Sequence, residues 1–230
     1  MTTGWEASIG LFEFLRDYPL MAVRPTSKNA LILQGTFSFK ATTTEGVAVT
    51  DSFSLRIQVP RVFPRDLPVV VETGGRIPRR GDYHVNSKDE TLCLGSPIRL
   101  LTVIAGEASL TGFAANCLVP YLHAVSRRLK SNEPLVFGEL AHGQNGALDD
   151  YVGLFGLRNP DQVMQTLRLL CIRKRLANKH RCPCNCGLRL GRCRFNLHVA
   201  SLRALASRSW YQTAALGRPA KISISGSTST

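Results

Sequence analysis

The strongest constraint on the fold is a change of hydrophobic period along the chain. Trp5, Ile9, Phe12 and Leu15 recur at helical spacing, so residues 5–17 predict an amphipathic helix that stops before Pro19. From Leu31 the period becomes two. Leu31, Leu33, Phe37 and Phe39 alternate with Gln34, Ser38 and Lys40, and Phe53, Leu55, Ile57 and Val59 alternate with Ser54, Arg56 and Gln58. A sheet with one buried face needs this alternation, and two such segments joined by a polar connection predict antiparallel strands. A third apolar run, Leu67 to Val71, follows the turn Val62-Phe63-Pro64-Arg65-Asp66, and Pro68 puts its start near an edge. Helical character returns over residues 98–130, with a break near Gly106 and with Leu118, Leu122 and Val125 on one face. A short helix is expected around Tyr151 to Leu157. A longer one is expected from Asp161 to Lys179, opened by Asn159 as N-cap and Pro160 in the first turn. Val163, Leu167, Leu170 and Cys171 give that helix its buried stripe. The order is helix, strand meander, helices, which predicts an α+β fold.

Charge divides the chain further. The formal net charge is +13, and after Asp161 there is no Asp or Glu, while Arg and Lys continue to Lys221. The C-terminal third is therefore a concentrated positive surface suited to nucleic acid, anionic lipid or an acidic protein, or simply a solvated basic face. Glu6, Glu13, Arg16 and Asp17 interrupt the N-terminal residues, so no signal-peptide core is expected there. The apolar stretch from Leu100 to Val125 is broken by Glu107, Asn116 and His123, so no membrane association is expected and a cytoplasmic location is. Four of seven cysteines fall between Cys182 and Cys193, a pattern that favours a metal site plus free thiols over a disulfide framework.

Residues 73–97 have no periodicity, and an ordered loop of that length is usually functional. It contains Arg76-Ile77-Pro78-Arg79, Tyr83-His84-Val85-Asn86 and Leu92-Cys93-Leu94. Together with Phe63-Pro64 and the element order, these motifs resemble the bacterial branch of the ubiquitin-conjugating enzymes over roughly residues 5–130. Val85 stands where that family has proline, and the spacing to the cysteine is one residue shorter. The resemblance implies a UBC-like fold with an N-terminal helix, an antiparallel meander and C-terminal helices. It implies that Cys93 accepts a ubiquitin-like modifier as a thioester, that Asn86 stabilises the oxyanion when an amine attacks, and that His84 shapes the loop. It also implies an activating-enzyme-like partner, a target protein and a setting in antiphage or modification operons. A thioester carrier needs one accessible thiol, because a thiolate is both nucleophile and leaving group. Asp82 and Asp89 are candidates for deprotonating an incoming lysine.

The segment from His180 to Cys193 resembles the SEC-C motif, a small zinc-binding element. Cys182, Cys184 and Cys193 fall on its first three ligand positions, and Arg194 stands where a fourth is expected. Structural Zn2+ takes four S or N ligands in a tetrahedron, so the fourth is sought in His198, Cys186 or His180. His198 is preferred, on the expectation that one helix carries Cys193 and His198. The organisation expected is a conjugating domain over 1–135, a helical connector over 136–180, a small helical zinc-binding module over 181–215 and a disordered tail over 216–230. The competing expectation is a non-catalytic adaptor whose basic module binds nucleic acid or an acidic protein.

Overall fold

A computed structural model describes residues 4–27, 30–42, 46, 48–131 and 144–215. The tail assigned to 216–230 and the boundary placed at 135/136 lie outside these residues. The chain forms two compact units, Met1–Asp150 and Tyr151–Thr230. Among the described residues no helix is long and apolar enough to cross a membrane.

The first unit opens with two short helices, α1 (Gly4–Ser8) and α2 (Leu11–Asp17), where one was expected. Gly10 separates them with φ +71, a left-handed conformation that ends one helix and re-aims the next. α2 buries Leu11 and Phe14, and Tyr18 just beyond it stacks on Phe37 at 4.2 Å between ring centroids. A four-stranded antiparallel meander follows in the order β1 (Met21–Ser27), β2 (Ala30–Thr42), β3 (Ala48–Pro60) and β4 (Val69–Glu72). β2 and β3 pair without a shift from Ala30↔Pro60 to Thr42↔Ala48. That register puts Leu33 opposite Ile57 and Phe37 opposite Phe53, all at 1% exposure or less. Each alternating residue therefore faces one apolar layer, which is how period two becomes a core. Gly35 lets β1 approach β2, because a Cβ there would lie 2.1 Å from the Leu20 carbonyl oxygen.

The covering layer comes from α3 (Pro97–Gly106), α4 (Leu110–Phe113), a π-helical turn (Ala114–Leu118) and α5 (Val119–Ser131). Ile104, Leu110, Phe113, Leu118, Tyr121, Leu122 and Val125 pack into the same cluster as Leu33, Phe37, Phe53 and Ile57. The wide turn precedes Pro120, whose ring and missing N–H do not fit a regular α-turn. α6 (Gln144–Phe155) comes next in the chain, and its Asp150 accepts from the Ser96 hydroxyl and from Arg99 Nε at 2.8 Å.

In the second unit α7 (Pro160–Leu170) begins as expected. The Asn159 side chain accepts from the Gln162 N–H at 3.0 Å, and Gln162 Oε1 accepts from the Arg158 N–H at 2.8 Å, a reciprocal cap. It ends well before Lys179. Arg173 is extended, and a separate helical turn, α8 (Lys174–Ala177), follows. Arg203 explains the stop, because its guanidinium donates to the Leu169 carbonyl at 2.5 Å and the Ile172 carbonyl at 3.0 Å. Those carbonyls would otherwise be unpaired at a helix end. After the cysteine-rich turn, α9 (Phe195–Leu205) and α10 (Arg208–Ala215) complete a small helical core with Val163, Leu167, Leu170, Val199, Leu202 and Tyr211.

Candidate functional site

Two places gather the reactive side chains, one in each unit. In the first, the irregular loop after β4 is ordered around a short hairpin. Val85 and Leu92 are antiparallel partners, bracketed by Asn86 N–H to Thr91 O at 2.9 Å and Cys93 N–H to His84 O at 2.7 Å. Both side chains of that pair are buried, at 5% and 7% exposure. In an antiparallel pair the neighbouring positions face the other way. Asn86 and Thr91 are thus opposite one another and, with the exposed Cys93, lie outside the buried pair, whereas His84 is left-handed at φ +53 and stands outside the extended run. The Asn86 amide donates to the Thr91 hydroxyl at 2.7 Å, and that hydroxyl donates to Asp89 at 2.7 Å. One of the two Asn86 N–H donors is therefore used within the hairpin.

The hairpin is fixed on three sides. Leu92 N–H donates to Val70 O at 2.8 Å and Thr91 bridges Val71, so this strand lengthens the β4 edge of the sheet. The buried Tyr121 hydroxyl donates to the Tyr83 carbonyl at 2.8 Å. Arg128 holds Asp82 at 2.7 Å and lies 4.6 Å over the Tyr83 ring. Upstream, Arg76 reaches back to Asp51 on β3 at 2.9 Å and covers the Phe53 ring at 4.5 Å. The Arg76-to-Arg79 segment is therefore pinned to the sheet.

Cys93 is solvent-exposed. Protein packed around its sulfur raises the thiol pKa above the ordinary value, with the Gly95 backbone N–H acting in the opposite sense. The residue is thus an accessible thiol, kept mostly protonated near neutral pH. Cys117 is buried in the π-turn, and burial pushes its thiol up to about 11. It is a core residue.

The second place is a sulfur cluster. Sγ atoms of Cys182, Cys184, Cys186 and Cys193 lie within 4.8 Å of one another. Cys182–Cys184 measures 3.2 Å, Cys184–Cys193 3.6 Å and Cys186–Cys193 3.5 Å. A tetrahedron with metal–sulfur bonds of about 2.3 Å has edges of about 3.8 Å, so the four thiols fit one soft cation with small adjustments. Asn185 at φ +63 and Gly187 at φ +78 curl the chain so that Cys186 turns back toward the other three. The Leu188 backbone N–H holds the Cys186 thiol down at about 7, whereas burial raises the Cys182 thiol. Cys193 Sγ also accepts from the Phe195 N–H at 3.4 Å.

The sulfur group differs from the expected ligand set. Cys186, not His198, joins Cys182, Cys184 and Cys193. α9 starts only at Phe195, so Cys193 precedes the helix that carries His198, and the two do not share one. The His198 ring instead packs between Phe155 at 5.8 Å and Phe195 at 5.6 Å, and burial lowers its pKa. His180 is likewise outside the sulfur group.

Tyr121 and Arg128 hold the first site in place, and nothing local in the sequence marks them. Cys186 was visible as a cysteine two residues beyond Cys184. What a spacing cannot show is the pair of left-handed residues that turns it inward. No protein-family model, no curated protein and no solved structure matches the chain.

Proposed function

We propose that the first unit is a thioester carrier of the ubiquitin-conjugating type, and that the second is folded around a structural Zn2+ held by Cys182, Cys184, Cys186 and Cys193. The carrier reading rests on one observation: an exposed Cys93 and an exposed Asn86 stand on one ordered hairpin, with the Cys93 backbone bonded to His84. In the reaction, the Cys93 thiolate attacks the carbonyl of a modifier's C-terminal thioester on an activating enzyme, and that enzyme's thiol leaves. A target amine then attacks the Cys93 thioester. The oxyanion forms beside the free Asn86 N–H, the amide bond closes, Cys93 leaves as thiolate, and the amine proton passes to solvent or Asp89. The raised thiol pKa suits a carrier, since a high-pKa thiol leaves slowly and gives a thioester that survives until the target arrives. The His84 carbonyl accepts from the Cys93 N–H and so sets the height of the sulfur.

Zinc fits the second site because four thiolates in a near-tetrahedral set are the donors of a closed structural centre, with no open position for chemistry. So small a segment buries little apolar surface, and the metal would supply much of its folding energy.

The test is acyl transfer from a short peptide thioester ending in Gly-Gly to the zinc-loaded chain. Expected are a hydroxylamine-sensitive mass adduct on Cys93 and its discharge onto free lysine. Asn86→Ala should load normally and discharge about 10²-fold more slowly. An adduct that persists in Cys93→Ala, or that spreads equally over Cys171, would sink the carrier reading. A non-catalytic adaptor would then remain.

A further inference from the structure

The second unit carries a charge arrangement that its own residues leave uncompensated. Between Tyr151 and Thr213 the sequence holds twelve Arg and Lys against one acid, Asp161. The imbalance is sharpest beside the sulfur cluster. Arg181 and Arg189 are direct partners in an antiparallel bridge, and both are exposed. Like charges placed opposite each other in a ladder repel, so this pairing is unfavourable by itself.

The backbone nevertheless holds it fast. Cys182 N–H donates to Leu188 O at 2.9 Å, Leu190 N–H to His180 O at 2.9 Å and Gly191 N–H to Asn178 O at 3.1 Å. Lys179, in the turn before the bridge, and Arg192, ending the 3-10 turn Leu190–Arg192 after it, flank Arg181 and Arg189 in one short ribbon-like segment, and all four are exposed. Among the described residues no ion pair reaches any of them. A rigid ribbon of opposed cations without internal counter-charge is preorganised for an anion, because the cost of bringing the charges together has been met before binding.

We infer that this ribbon binds the phosphodiester backbone of a nucleic acid, with Arg181 and Arg189 gripping phosphate and Lys179 and Arg192 extending the contact. A phosphate oxygen pair matches the guanidinium fork, and two forks opposed across a ladder can share one phosphate. Arginine outnumbers lysine ten to two over Tyr151–Thr213, and its planar group also stacks on bases, which an acidic peptide does not offer. A strand of nucleic acid presents charge at regular short intervals, so neighbouring phosphates can engage the flanking cations as well. The surface is independent of Cys93 and goes beyond the carrier reading.

Fluorescence anisotropy on the full, zinc-loaded chain tests this, with labelled single-stranded DNA, RNA and duplex DNA of mixed sequence and about 20 nucleotides. Binding should weaken steadily with salt. Arg181→Gln with Arg189→Gln should weaken every probe and make the log–log salt slope shallower by about 1.4–1.8. Zinc content must be unchanged in that variant. Should it fall, Lys179→Gln with Arg192→Gln, outside the bridge, replaces it and should give a shift in the same direction. Three results would overturn the inference: no binding at about 50 mM salt, an unaltered slope in the zinc-replete variant, or displacement by poly-glutamate as effective per charge as unlabelled oligonucleotide. The last would assign the ribbon to an acidic protein instead.

Discussion

Removing one donor at a time from the Cys182–Cys193 cluster separates a four-cysteine centre from one completed by histidine. The geometry groups Cys186 with the other three sulfurs and leaves His198 between two phenyl rings. Structural zinc in small modules contributes about 10–16 kcal/mol at neutral pH, so an equal share for each of four ligands is about 2.5–4 kcal/mol. Losing one sulfur therefore weakens zinc binding by about 10²–10³-fold. Competition against a chromophoric chelator measures this directly, and Co2+ substitution reports the number of thiolates through its sulfur-to-metal charge-transfer absorption. Cys186→Ala should fall by the full factor and lose absorption. His198→Ala should stay within about tenfold, the scale of a residue that supports a site without ligating it. If His198→Ala costs as much as Cys186→Ala, or Cys186→Ala keeps its affinity and spectrum, the four-sulfur assignment is wrong.

Other outcomes follow from single contacts. Tyr121→Phe removes the hydroxyl that donates to the Tyr83 carbonyl and should cost about 1–2 kcal/mol in urea unfolding. Gly35→Ala puts a methyl against the Leu20 carbonyl and should cost more, about 2–4 kcal/mol, with the loss seen as a lower melting temperature. Burial would raise the Asp51 carboxyl, but hydrogen bonds led by Arg76 outweigh it and hold the group at about 2. The folded pKa is depressed, so the stabilisation is present above the ordinary carboxylate range and lost as pH falls from about 4 to about 2. Asp51→Asn should flatten the acid-unfolding curve in that window. Alkylation of Cys93 by iodoacetamide should keep rising with pH beyond the range of a free thiol, since its pKa is raised. A half-maximal rate at or below neutral pH would contradict the packing around the sulfur.

The central strands were legible because apolar residues alternate at positions that became buried, Leu31, Leu33, Phe37 and Phe39 against Phe53, Leu55, Ile57 and Val59, although Ile32 is buried on the other face as well. β1 was not, because it is an edge strand in which Val23 is 45% exposed and Pro25 interrupts the pattern. The first helix read as continuous because periodicity runs through Gly10, although the backbone turns there. The end of α7 at Leu170 depends on Arg203, a residue far along the chain, which no local propensity can foresee. The same holds at the sites. Cys93, Asn86 and His84 could be named from their motif, and the hairpin that joins them came only from the pairing of Val85 with Leu92. The sulfur cluster was visible as a set of cysteines, while its fourth member was decided by two left-handed residues rather than by a helix.

The hairpin that carries Cys93 also behaves as a parity device. With Val85 locked against Leu92, residues 86–91 are the only connection between its two sides. Adding or deleting two residues there keeps every side chain on its present face. A change of one exchanges the faces of the returning strand, sending Cys93 into the core and bringing Leu92 to solvent. Even-numbered length variants of this loop should therefore retain an alkylatable Cys93, and odd-numbered ones should bury the thiol without removing it.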